Sequence, residues 1–122
     1  MMKISAAESQ VMEALWKRAP QSAEELFADV GEAQGWALPT LKTLLARLVE
    51  KGALATQKEG RRFLYRPLVA RDDYVEAESQ GLLDRLFDGR LAPLVSHFSE
   101  RQKLSAQDVA DLKRLIQELD DE

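Results

Sequence analysis

The chain has 122 residues, 45% hydrophobic and 31% charged, with a net charge of −4, no cysteine and one histidine, His97. That length holds one domain, or a small domain with an appendage that completes its core by oligomerising. Without cysteine or a second histidine, disulfides, cysteine-based zinc sites and a Ser-His or Cys-His catalytic pair fall away, so neither an enzyme nor a metal or cofactor is expected. No apolar run approaches the roughly 20 residues of a membrane span, and the first ten residues lack the apolar core of a signal peptide, which reads as cytoplasmic.

Ser5-Ala-Ala-Glu8 is a capping-box pattern, and the Val11, Met12, Leu15, Trp16 stripe behind it predicts a first helix ending near Pro20. Ser22-Ala-Glu-Glu25 repeats the signal, with Leu26, Phe27 and Val30 as the inward side of a short second helix that Gly31 and Gly35 loosen. The third helix is predicted over 38–51. Leu41, Leu44, Leu45, Leu48 and Val49 form its apolar stripe, Pro39 sits in its first turn and Gly52 at its end. Thr40, Thr43, Ala46, Arg47 and Glu50 then fall on the opposite, exposed face. After Gly52 the pattern alternates through 54–66 as a hairpin turning at Glu59-Gly60-Arg61 and stopped by Pro67. Three helices and a cationic hairpin are the order of a winged helix-turn-helix domain.

From Asp72 the pattern is helical. Tyr74, Val75, Leu82, Leu83, Leu86 and Phe87 stripe one helix, and Asp88-Gly89 breaks it. Leu91 to Phe98, including Leu94, begins another, and Ser105-Ala-Gln-Asp108 caps a last one carrying Val109, Leu112, Leu115, Ile116 and Leu119. Three such helices make a poor core alone. The fold class expected is therefore mainly α, with a winged-helix domain at 1–71 and a three-helix dimerisation domain at 72–122. In the latter, Val75, Leu82, Leu83, Leu86, Phe87, Leu94, Phe98 and the last helix's stripe are buried against a second copy. His97 reads as a half-buried imidazole.

The charge is unevenly placed. Residues 1–71 carry 11 Lys/Arg against 8 Asp/Glu and residues 72–122 carry 6 against 13, while 42–71 alone has 8 against 2. A basic segment in an acidic protein is a polyanion-binding candidate. On duplex DNA, Pro39, Thr40, Lys42, Thr43, Ala46 and Arg47 would address the groove, with Lys51, Arg61 and Arg62 at its flanks. For any one of these cations the competing reading is an ordinary solvated face, and for the whole domain it is a winged-helix scaffold that binds protein without sequence-specific DNA binding.

Leu15-Trp16, the turn 20–25, the run Pro39-Thr40-Leu41-Lys42-Thr43-Leu44-Leu45-Ala46-Arg47-Leu48, the junction Lys51-Gly52-Ala53-Leu54 and the segment 82–89 together resemble the BlaI/MecI/CopY family of bacterial penicillinase repressors. The resemblance covers nearly the whole chain. It implies a homodimeric transcriptional repressor that binds an inverted-repeat operator with TACA/TGTA-like half-sites, its partners being double-stranded DNA and a second copy, with no small-molecule substrate. For the lactam-responsive members it implies relief by a membrane sensor peptidase, and His97-Phe98 aligns with the bond that is processed there. The copper-responsive members carry C-terminal cysteines, which this chain lacks. Leu38 stands where family members often have a Ser or Asp cap.

Overall fold

The computed structural model describes residues 2–121, which divide into two compact units between Val75 and Glu76. In the first, α1 (Ala6–Lys17) starts at the predicted capping box: Ser5 Oγ accepts from the Glu8 N–H, and the Glu8 carboxylate accepts from the Ser5 N–H at 2.9 Å. Ser22 builds the same box with Glu25 at the start of α2 (Ala23–Leu26). The second helix is not short, as the glycines suggest. It passes through a π-helical turn (Phe27–Gly31) into α3 (Glu32–Gln34) and ends at Gly35, φ 74°. Gly31 is buried inside it, and a Cβ there would lie 2.7 Å from the Phe27 ring: the glycine admits the ring and does not break the helix.

The third helix, α4 (Leu38–Glu50), agrees with the prediction to one residue, with Lys51 as its C-cap. Its N-cap is Ala37, which supplies no side-chain bond, so the chain does without the cap that Leu38 displaces. Its end is firmly built. Gly52, at φ 82°, donates to the Val49 carbonyl and Ala53 to that of Leu48, and Leu48 and Ala53 are both fully buried. This left-handed turn, which glycine adopts without strain, returns the chain at once into a strand.

The wing is β2 (Leu54–Glu59) and β3 (Arg62–Pro67), joined by Gly60-Arg61. A two-residue strand, β1 (Gln21–Ser22), unforeseen in the sequence, pairs antiparallel with β3, so the order is β1-β3-β2. The core is Val11, Met12 and Leu15 of α1, Leu26 and Val30 of the second helix, Leu41, Leu44, Leu45 and Leu48 of α4, and Leu54 below the wing.

Helix α5 (Arg71–Leu86) begins in this unit. Arg71 Nε pairs with Glu13 at 3.1 Å and the Tyr74 ring lies 5.4 Å from Trp16, whose Nε1–H donates to the Val69 carbonyl at 2.9 Å. These contacts carry the unit to Val75, beyond the expected boundary at residue 71. The second unit contains the rest of α5 with α6 (Leu91–Glu100) and α7 (Ala106–Asp120), capped by Ser105 as expected. None of its described residues is buried.

Glu8 is 2% exposed. Burial pushes its carboxyl up, but the Lys51 ammonium, donating to both oxygens, and the Ser5 N–H outweigh it and hold the group below its ordinary 4.5. A depressed carboxyl contributes stability that is present above the unfolded value and lost as pH falls through the folded one. Glu8→Gln should therefore cost about 1–3 kcal/mol at neutral pH, and the variant and the parent chain should converge in urea midpoint as pH is lowered below 4.5. A gap that persists undiminished in acid would contradict this.

Candidate nucleic-acid interface

Burying Leu41, Leu44, Leu45 and Leu48 leaves Pro39, Thr40, Lys42, Thr43, Ala46 and Arg47 exposed along the other side of α4. Lys42 and Arg47 make no ion pair among the described residues, so their charges are free for an external anion. The Thr43 hydroxyl donates to the Pro39 carbonyl at 3.0 Å, which leaves its oxygen as an acceptor and its methyl for apolar contact.

The wing adds a second wall. Arg61 occupies its turn and makes no ion pair among the described residues, whereas Arg62 leans toward Glu25 at 3.4 Å and Glu59 at 3.5 Å. Those are long contacts between exposed groups and hold the guanidinium loosely. The Glu25 carboxyl lies below its ordinary value through the backbone and hydroxyl bonds from Ser22, with Arg62 adding to the effect. A cleft of about 350 Å³ lies between α4 and the wing, lined by Lys42, Arg61, Arg62, Phe63, Tyr65, Ala23 and Glu24. Burial, then Glu24, raises the Tyr65 hydroxyl's pKa, so it remains a neutral donor at physiological pH.

The structure thus brings eight of the nine sequence-predicted residues to one surface, and sets Lys51 apart with its ammonium on Glu8. Sequence reasoning missed Phe63, an exposed aromatic on the wing beside three cations. Its signal was present: in Arg62-Phe63-Leu64-Tyr65, Leu64 faces the core, so strand alternation sends Phe63 outward. Among the described residues no His, Cys, Asp and Glu cluster is placed to hold a metal ion, and no helix is long and apolar enough to cross a membrane.

Residues 4–118 match the family described as penicillinase repressor. The chain belongs to that family. It is 35% identical over 116 residues to the penicillinase repressor of Bacillus licheniformis, spanning 95% of this chain and 91% of that one. The methicillin resistance regulatory protein MecI of Staphylococcus aureus is 28% identical over 114 residues, 93% of each chain. Among solved structures, the monomeric form of Bacillus licheniformis BlaI in complex with the blaP half-operator is 39% identical, with a TM-score of 0.53, over 59% of this chain and 88% of that one. This repressor is accordingly a DNA-binding transcriptional regulator on a winged-helix fold and not an enzyme, and the scaffold reading is not favoured.

Lys42→Ala and Arg47→Ala should each weaken specific DNA binding by about 1–3 kcal/mol where the side chain reads a base, and by less, equally for all sequences, where it meets only phosphate. Gel-shift titrations that leave both affinities unchanged would remove α4 from the interface.

Proposed function

We propose that this repressor acts in the cytoplasm as a homodimer on an inverted-repeat operator of TACA/TGTA-like half-sites. In each protomer the exposed face of α4, from Pro39 to Arg47, enters the major groove, and the wing with Arg61 and Arg62 follows the flanking backbone. Occupancy of the promoter is the whole mechanism: no bond is made, and no small molecule is consumed.

The observation that carries the dimer is the second unit's surface. Leu115, Ile116 and Leu119 are 49%, 57% and 66% exposed, and with Leu91, Val95 and Val109 they line an open apolar groove between α6 and α7. Soluble chains rarely leave such a contiguous apolar face to water. A second copy covers it with the same face, as two-fold symmetry requires, and takes in Val75, Leu82, Leu83, Leu86, Phe87, Leu94, Phe98 and Leu112, which are half-buried or exposed in one chain. The half-operator bound by monomeric BlaI supports a division of labour in which each winged helix reads one half-site and the dimer joins two. Joining raises the effective concentration of the second winged helix, and affinity rises without a new base contact.

In the full chain, Leu115→Glu with Leu119→Glu should shift the sedimentation coefficient from dimer to monomer. Affinity for a duplex with two half-sites should fall roughly 100-fold, while affinity for one half-site is retained. A dimer that survives both substitutions would move the interface elsewhere.

For the end of repression we propose cleavage between His97 and Phe98 by a membrane sensor peptidase. Both residues are exposed in one chain, Phe98 being covered in the dimer, so the peptidase takes a protomer whose dimer face has opened; His97 is not half-buried as the apolar run around it suggests, and its ring stands 5.9 Å from that of Phe98. The bond lies near the end of α6, in a unit without a buried side chain, so local opening costs little. Cutting there separates α7 from α5 and α6 and takes away bivalency. Mass spectrometry of the protein from induced cells should show a fragment ending at His97, and an intact chain in derepressed cells would exclude proteolysis.

A further inference from the structure

Lys51 lies at the basic end of α4, yet its ammonium turns back onto α1 while the residue stays partly exposed. Position 51 continues the row Leu41, Leu44, Leu48, and Glu8 sits in the buried row Glu8, Val11, Met12, Leu15 of α1, so each charge stands where its helix otherwise carries apolar side chains. The Lys51 Nζ is 2.7 and 2.8 Å from the two Glu8 oxygens, across 43 residues of sequence, and its side chain is 31% exposed against 3% for Glu8. Glu8 Oε1 also accepts the Ser5 N–H. A buried carboxylate must keep its cation, and drawing Lys51 toward a phosphate would strand it. An ammonium with two of its three donors committed has little left for DNA.

Resting on the reading of α4 as the DNA-reading helix, we infer that Lys51 is a positioning residue: its ion pair with Glu8 fixes the C-terminal end of α4 to the start of α1 and so aims Thr40, Lys42, Thr43 and Arg47. The lever is long. From Lys51 to Thr40 is about 16 Å along the helix axis, so a tilt of about 5° at the pinned end moves Thr40 by about 1.4 Å, enough to spoil a bidentate contact with a base edge. The Gly52 turn holds the backbone at the same end, and the ion pair supplies the one polar tie there between α4 and α1 among the described residues.

The test uses the full-length protein and fluorescence anisotropy on two duplexes, one with a TACA/TGTA half-site and one of scrambled sequence, over a salt series. Lys51→Met should lower half-site affinity 10- to 100-fold, leave scrambled affinity and the salt slope unchanged, and be largely restored by Lys51→Arg. Glu8→Gln should weaken half-site binding in the same way, although it removes a negative charge and would tighten binding if only long-range electrostatics mattered. The double variant should be no worse than either single one. A fall of about one in the salt slope for Lys51→Met, equal on both duplexes, would make Lys51 a phosphate contact and overturn the inference. Parent-like discrimination in both Lys51→Met and Glu8→Gln would overturn it too, by reducing the pair to a fold contact. If the parent chain itself shows neither half-site preference nor salt dependence, the reading of α4 fails first. Circular dichroism melts keep every titration below the onset of unfolding, and Lys51→Arg serves as the folded reference.

Discussion

The winged-helix unit depends on the burial of one stripe, Leu41, Leu44, Leu45 and Leu48, against α1 and the second helix. Burying a leucine is worth about 1.5–3 kcal/mol, so the four together far outweigh any exposed ion pair, each worth at most about 1 kcal/mol. Helix rotation is thereby decided by the core. Given that rotation, a period of 3.6 puts Thr40, Lys42, Thr43, Ala46 and Arg47 outside without any interaction among themselves. The proposed binding surface is a consequence of what the other face must bury.

Polar groups refine what the leucines fix. Ser22 is both a residue of β1, opposite Leu64, and the cap of α2, so a single position ties the wing to the start of the second helix. Gln21, fully buried beside it, donates to the Arg18 carbonyl at 2.7 Å and accepts from the Arg18 guanidinium at 3.0 Å, so both ends of its amide are satisfied at the end of α1. Together with the left-handed turn at Gly52, these contacts hold the wing beside α4, and the cleft between them, with Lys42 on one wall and Arg61 on the other, follows.

Much of this was legible in the sequence because each signal was local and strong. Three capping boxes, one long apolar stripe, the Gly52 stop and the alternation around a glycine turn locate α1, α4, α7 and the wing nearly to the residue. What escaped was short or depended on a partner far along the chain. Two residues such as Gln21-Ser22 have no alternation to detect, and β1 exists only because β3 offers an edge. Gly31 looked like a breaker because the Phe27 ring that fills its place cannot be read from composition. Lys51 has the look of a surface cation because its charge is plain in the sequence, whereas its partner Glu8 lies 43 residues away. The second unit shows the converse: its stripes were plain, and one chain leaves them uncovered.

We propose that the outward face of α4 and the wing form the contact with DNA. Backbone amide NMR of the full-length protein, titrated with a duplex carrying one half-site, tests it most directly. The largest shifts should fall at residues 39–47 and 60–63, with the amides of α6 and α7 unmoved. Shifts centred on α6 and α7, or spread evenly over every exposed cation, would contradict it.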